Sequence, residues 1–171
     1  MILDVSKGLR MPGEEIPFLV EGELDPQDVM GETVEFPDKV TLEGRYSVTG
    51  VNTIVVEGEL TAVARGKCSR CLNPVDFPVR VPFSEAFVTG EATDDAEQFS
   101  YEGSKLDLSL LALTLAVLEL PIRFLCREDC LGLCPKCGKN LNEGSCSCEI
   151  DEDDENPMSV LRKLLKNNEE V

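Results

Sequence analysis

Residues 39–49 read KVTLEGRYSVT, and Val40, Leu42, Tyr46 and Val48 fall on one parity with Gly44 between them. Successive side chains of a strand point to opposite faces, so this spacing predicts a strand with one buried face. Residues 53–64, TIVVEGELTAVA, repeat the pattern: Val56, Leu60 and Ala62 share a side, and Asn52-Thr53 supplies a turn before them. Residues 75–88 alternate through Val75, Phe77, Val79, Val81 and Phe83, with Pro78 and Pro82 on the opposite parity. Proline cannot donate to a ladder, so this segment reads as an edge strand or a bulged one. Upstream, residues 16–24 mix apolar and acidic side chains before Pro26. Downstream, residues 92–98 read as a loop and 99–102 as one more strand. The first 104 residues thus predict an antiparallel meander, sandwich or partly open barrel.

The period then changes. Leu106, Leu110, Leu113, Val117 and Leu120 recur at helical spacing, with Leu108, Leu111, Leu115 and Leu118 as a second stripe. This predicts one long helix over 106–120, with Asp107 in its first turn and Pro121 ending it. Apolar on two stripes, it is either buried on most sides or shared with a partner, and a buried core helix is the expectation. The fold class is α+β: a meander or partly open barrel, a long buried helix, a cysteine-rich zinc-knuckle region and a short C-terminal helix. Asn156-Pro157 opens that last helix, with Met158, Leu161, Leu164 and Leu165 on its apolar face and Arg162, Lys163 and Lys166 elsewhere. The expected division is a β-rich domain at 1–125, a knuckle segment at 126–148 packed on it, and an acidic linker plus amphipathic helix at 149–171.

Residues 126–148 read CREDCLGLCPKCGKNLNEGSCSC, and the chain contains no histidine. At 171 residues and 42% hydrophobic, the chain can bury a real core without cross-links. No long apolar segment follows Met1, and the nine-residue run at 110–118 is too short to span a bilayer. These features predict a cytosolic protein whose thiols stay reduced. The eight cysteines pair as C-x2-C (Cys68, Cys71), C-x3-C (Cys126, Cys130), C-x2-C (Cys134, Cys137) and C-x-C (Cys146, Cys148). Four close pairs suit two tetrahedral four-thiolate sites. Cys134-Pro135-Lys136-Cys137-Gly138 is the strongest knuckle, and residues 140–144 turn the chain back toward Cys146 and Cys148. Site one is expected to be Cys134, Cys137, Cys146 and Cys148, and site two Cys68, Cys71, Cys126 and Cys130. The other pairing joins Cys126 and Cys130 to Cys134 and Cys137, leaving Cys68 and Cys71 for the C-x-C. Structural zinc, one or two ions, is the leading reading. An iron–sulfur cluster, a redox switch and a catalytic site are its rivals. Four thiolates close the position that a catalytic zinc keeps open, and the usual general base is missing.

The formal net charge of −17 argues against generic, salt-driven binding to a phosphate backbone. The basic residues nevertheless gather near cysteines: Arg65, Lys67, Arg70 and Arg80 around the first pair, and Arg123, Arg127, Lys136 and Lys139 around the cluster. Six carboxylates crowd residues 149–156.

CSRCL at 68–72 after a strand, LDLSLLALTLAVLELPIRFLC at 106–126, the cysteine cluster, and Asn156-Pro157 leading a short helix resemble, in that order, the YceD family. The resemblance runs from about residue 40 to the end. It implies a role in accumulation of large-subunit ribosomal RNA, in a bacterial or organellar setting. The expected function is a non-enzymatic ribosome-biogenesis factor whose zinc knuckles offer Arg65, Lys67, Arg70, Arg127, Lys136 and Lys139 to ribosomal RNA. Residues 149–155 would meet a basic large-subunit ribosomal protein. No membrane and no small-molecule substrate are expected. The alternative is an RNA-processing enzyme or a redox-responsive zinc protein.

Overall fold

The computed structural model describes residues 1–50, 53–89 and 99–148. The Asn52 turn, the 92–98 loop, the acidic stretch and the C-terminal helix lie outside the described residues. The chain runs β1 (Ile2–Asp4), α1 (Ser6–Arg10), β2 (Ile16–Gly22), β3 (Gln27–Val29), β4 (Glu32–Val34), β5 (Val40–Thr49), β6 (Thr53–Lys67), β7 (Pro74–Thr89), β8 (Phe99–Tyr101), β9 (Lys105–Asp107) and α2 (Ser109–Leu118). The main sheet has the order β2-β5-β6-β7-β8, antiparallel except for the parallel β7–β8 pair. Two-stranded ribbons, β1–β9 and β3–β4, complete the described strands. Among the described residues the sheets do not close into a barrel.

Alternation decides which face is buried. Val40, Leu42, Tyr46 and Val48 of β5, Ile54, Val56, Leu60, Ala62 and Ala64 of β6, and Val79, Phe83 and Phe87 of β7 form one apolar layer. Leu3, Val5, Val34, Phe36, Leu106, Leu108, Leu111, Ala112 and Ala116 lie against it. In the middle of this layer Gly44 and Gly58 face each other, and Gly58 faces Phe83. A Cβ on Gly44 would fall 2.0 Å from the Glu57 carbonyl oxygen, so only glycine admits this approach of β5 to β6.

Pro78 and Pro82 sit opposite Val63 and Glu59, within an unbroken ladder to β6. β8 pairs with β7 only at Phe87–Thr89, so both prolines lie where the far edge of β7 has no strand partner among the described residues. Sharing a parity, they turn their missing donors toward the same edge.

The long buried helix does not form. α2 spans ten residues, Ser109–Leu118. Leu106 belongs to β9, Leu108 is the N-cap, and the chain leaves the helix before Leu120 and Pro121. Leu111, Ala112 and Ala116 face the sheet, whereas Leu110 and Leu118 are 62% and 78% exposed. The physical reason lies at both ends of the leucine run. Lys105-Leu106-Asp107 pairs with Ile2–Asp4, and the Asp107 carboxylate accepts the Ser109 N–H at 2.9 Å, so the helix starts there. At the far end Pro121 pushes its predecessor out of helical geometry. No helix among the described residues is long and apolar enough to cross a membrane.

Candidate metal centres

β6 ends at Lys67, opposite Pro74 at the start of β7. The connection between them, Cys68 to Asn73, is therefore the tip of the longest hairpin in the sheet, and the first C-x2-C is its turn. The Cys68 N–H donates to the Asn73 carbonyl at 2.8 Å, and the Leu72 N–H to the Cys68 carbonyl at 2.9 Å. The second C-x2-C repeats both bonds: Cys134 N–H to the Lys139 carbonyl at 2.8 Å, and Gly138 N–H to the Cys134 carbonyl at 2.8 Å. Leu72 and Gly138 occupy the same place and both have positive φ, 61° and 71°. Glycine takes that conformation without cost, while leucine loses about 1 kcal/mol or more.

A segment from the far side of α2 meets the hairpin tip. Phe124 is its anchor. The ring lies over Gly66, where a Cβ would come within 2.7–2.9 Å of three ring atoms, and it packs edge-on against Phe77 at 6.3 Å. The Phe124 carbonyl accepts the Ser69 N–H at 2.9 Å. Cys126 and Cys130 are thereby delivered to the C-x2-C turn.

The eight sulfurs fall into two groups, Cys68, Cys71, Cys126 and Cys130, and Cys134, Cys137, Cys146 and Cys148. Within each group every Sγ lies within 4.8 Å of the others. Cys68 and Cys130 Sγ are 3.9 Å apart, and Cys71 and Cys126 Sγ are 3.6 Å apart. A tetrahedral ion with metal–sulfur bonds of about 2.3 Å separates its sulfurs by about 3.8 Å. The donor sets thus fit one ion each. A four-iron, four-sulfur cluster attaches each thiolate to a different iron, and a two-iron, two-sulfur cluster divides the four between two irons, so either needs a wider cage.

Electrostatics points the same way. Burial pushes the Cys68 thiol up, but the N–H groups of Cys126, Cys71 and Arg70 outweigh it and bring the pKa from 9.0 down to about 6. In the second group the N–H groups of Cys137 and Lys136 hold Cys134 at about 6. The partners move oppositely. Burial and the neighbouring Cys130 and Cys71 thiols push Cys126 up to about 12, and Cys137 together with burial pushes Cys148 up to about 12. Four thiols this close cannot all ionise by themselves, and a divalent cation removes that conflict.

The six cations expected to face RNA are not equally available. Arg65 forms a two-pronged pair with Asp76 at 2.6 and 2.9 Å. The Arg70 guanidinium donates to the Glu128 and Cys130 carbonyls at 3.0 and 2.9 Å, tying the hairpin tip to the facing segment. Arg127 contacts Asp129 at 3.4 Å and donates to Asn142 Oδ1 at 2.7 Å. Lys139 donates to the Ser145 carbonyl at 2.9 Å. Lys67 and Lys136 are exposed, and their ammonium groups have no hydrogen-bonded or ionic partner among the described residues.

Phe124 and Asn142 do not stand out as site residues in the sequence. Gly66 is the available hint to the first, since glycine inside a strand often marks a close approach. For Asn142, which donates to Cys130 Sγ at 3.3 Å, spacing holds no signal.

Residues 56–165 match the family described as large ribosomal RNA subunit accumulation protein YceD. An uncharacterised protein of Mycobacterium bovis is 31% identical over 144 residues, 81% of this chain and 69% of its own length. One from Mycobacterium leprae is 35% identical over 96 residues, 52% of this chain and 43% of its own. An Arabidopsis thaliana protein named large ribosomal RNA subunit accumulation protein YCED homolog 1, chloroplastic, is 35% identical over 78 residues, 44% of this chain and 24% of its own. No solved structure matches. With the family match covering most of the chain, the protein belongs to the YceD family.

Proposed function

We propose that this protein is a non-enzymatic ribosome-biogenesis factor that supports accumulation of large-subunit ribosomal RNA, acting through a surface held in shape by two zinc ions. Family membership supports the biological role. The observation that carries the molecular reading is the pair of four-sulfur cages, one of which clasps the β6–β7 tip. Zinc suits four thiolates, and four thiolates leave it no open position for a substrate, so the metal acts on shape. Cys68, Cys71, Cys126 and Cys130 hold one ion, and Cys134, Cys137, Cys146 and Cys148 the other.

The knuckles display Lys67 and Lys136, which touch the ribosomal RNA backbone, while Arg65, Arg70, Arg127 and Lys139 set the surface around them. Replacing both lysines in a K67E/K136E variant is expected to weaken association with precursor large-subunit particles. It should also lower the log–log salt slope of binding by about 2, one for each phosphate no longer neutralised. Unchanged association would refute the RNA-facing surface. A second reading, a basic ribosomal protein as the direct partner, is favoured by Glu43 lying directly opposite Glu59 on the outer sheet face in a chain of net charge −17. Copurification separates the two: RNA that stays bound through high salt supports the first, and a basic protein that stays bound through nuclease supports the second.

A further inference from the structure

Asn142 lies between Cys137 and Cys146, inside the loop that one thiol group encloses, yet its side chain reaches the other group. Its Nδ2 donates to Cys130 Sγ at 3.3 Å and to Asn140 Oδ1 at 2.8 Å. Its Oδ1 accepts the Leu131 N–H at 2.9 Å and the Arg127 guanidinium at 2.7 Å. Both N–H donors and both acceptor positions of the amide are therefore occupied. Its backbone N–H is held by Asn140 Oδ1 at 3.0 Å, and Asn140 in turn donates to Glu143 at 3.1 Å. The surrounding backbone is equally interlocked. Leu141 N–H donates to the Gly132 carbonyl at 2.9 Å, and Leu133 N–H to the Arg70 carbonyl at 3.1 Å.

This arrangement gives one loop two duties. It carries the ligands of its own cage, and it presents an amide to a sulfur of the neighbouring cage. A donor to a ligating thiolate orients the sulfur and offsets part of its charge, and such outer partners typically matter about 10–100-fold in metal affinity.

The geometry points to Asn142 as a positioning residue that couples the two cages: an ion at Cys134, Cys137, Cys146 and Cys148 fixes the loop, and the fixed loop holds Cys130 for the other ion. The inference rests on the metal reading above. Coupling of this kind is reciprocal, so filling the cage at the hairpin tip also tightens the Asn142 loop.

The test is zinc release from the full chain to a chromogenic chelator, with the two phases assigned by a C68S/C71S variant that lacks the hairpin-tip cage. N142A is expected to keep both ions at saturation but to weaken the hairpin-tip phase roughly 10–100-fold. N142D keeps oxygens for Leu131 and Arg127 but has no N–H for sulfur, so it should weaken that phase as well. With cobalt in place of zinc, both variants should shift the sulfur-to-metal charge-transfer band of the hairpin-tip site. A C134S/C137S variant, which opens the loop, should weaken the same phase, and adding N142A to it should do nothing more. N142D behaving like wild type, or a C134S/C137S variant whose hairpin-tip phase is unchanged, overturns the coupling. Wild-type protein that binds no zinc overturns the metal reading instead.

Discussion

Removing the hairpin-tip cage with C68S/C71S offers the sharpest test of the architecture. The sulfurs facing each other across this cage are 55 and 62 residues apart in the chain. A cross-link that closes a loop of that length removes roughly 4 kcal/mol of chain entropy from the unfolded state, a figure trimmed where unfolded thiols also hold zinc. For a domain of this size each kcal/mol moves the melting temperature by about 2–4 °C, so a drop of about 8–16 °C is expected. The assay pairs metal quantification, on protein purified without chelators, with thermal unfolding. Wild type should carry two zinc ions and the variant one, with the drop in melting temperature disappearing when both proteins are stripped of metal. One ion in both proteins would sink the hairpin-tip site. Loss of an ion with no change in melting would show that the site closes no long loop.

The same region carries two more tests. Gly66→Ala drives a methyl into the Phe124 ring and should destabilise by about 1–3 kcal/mol, with zinc lost first from the hairpin-tip cage. Adding Phe124→Leu should recover part of the loss, and failure to do so would remove Phe124 from the explanation. The metal-free protein should gain stability as pH rises from about 6 to 9 and lose it above. Cys68 and Cys134 have folded pKa values near 6, below their ordinary 9.0, so their contribution is complete above 9 and fades as pH falls through 6. Cys126 and Cys148, pushed up to about 12, contribute fully below 9 and lose it as pH climbs toward 12. Melts in chelator across that range check this, and a flat profile contradicts it.

The sheet is legible in the sequence because its central strands bury one face and expose the other. Val40, Leu42, Tyr46 and Val48 carry a period of two that needs no tertiary information. The leucine run misleads for a physical reason. Residues 106–120 are apolar in almost every phase, so helical spacing can be found wherever the helix stops, and Leu106 also satisfies the alternation of β9. The direction of β8 is hidden as well: three residues pair in parallel with β7, a long-range choice that local pattern does not record. α1 is five residues around Gly8, packed closely on the Tyr46 ring, and has no period to detect. At the metal centres, spacing brings the cysteines into pairs but leaves the pairing of pairs open, since that depends on where Phe124 docks. The arginines show the deeper limit. Clustering near cysteines is visible in sequence, but the turn of Arg70 inward, onto the Glu128 and Cys130 carbonyls, belongs to three dimensions.

The hairpin-tip cage also has a consequence for the order of synthesis. Cys68 and Cys71 leave the ribosome well before Cys126 and Cys130, and at elongation rates of about 5–20 residues per second an interval of 55 residues lasts roughly 3–11 s. Through that interval a hairpin of β6 and β7 has the residues of its own turn but only two of the four thiols of the cage. The clasp is therefore a late event, available only once α2 and Phe124 have emerged, and a chain stalled or truncated before residue 126 remains visibly unfinished.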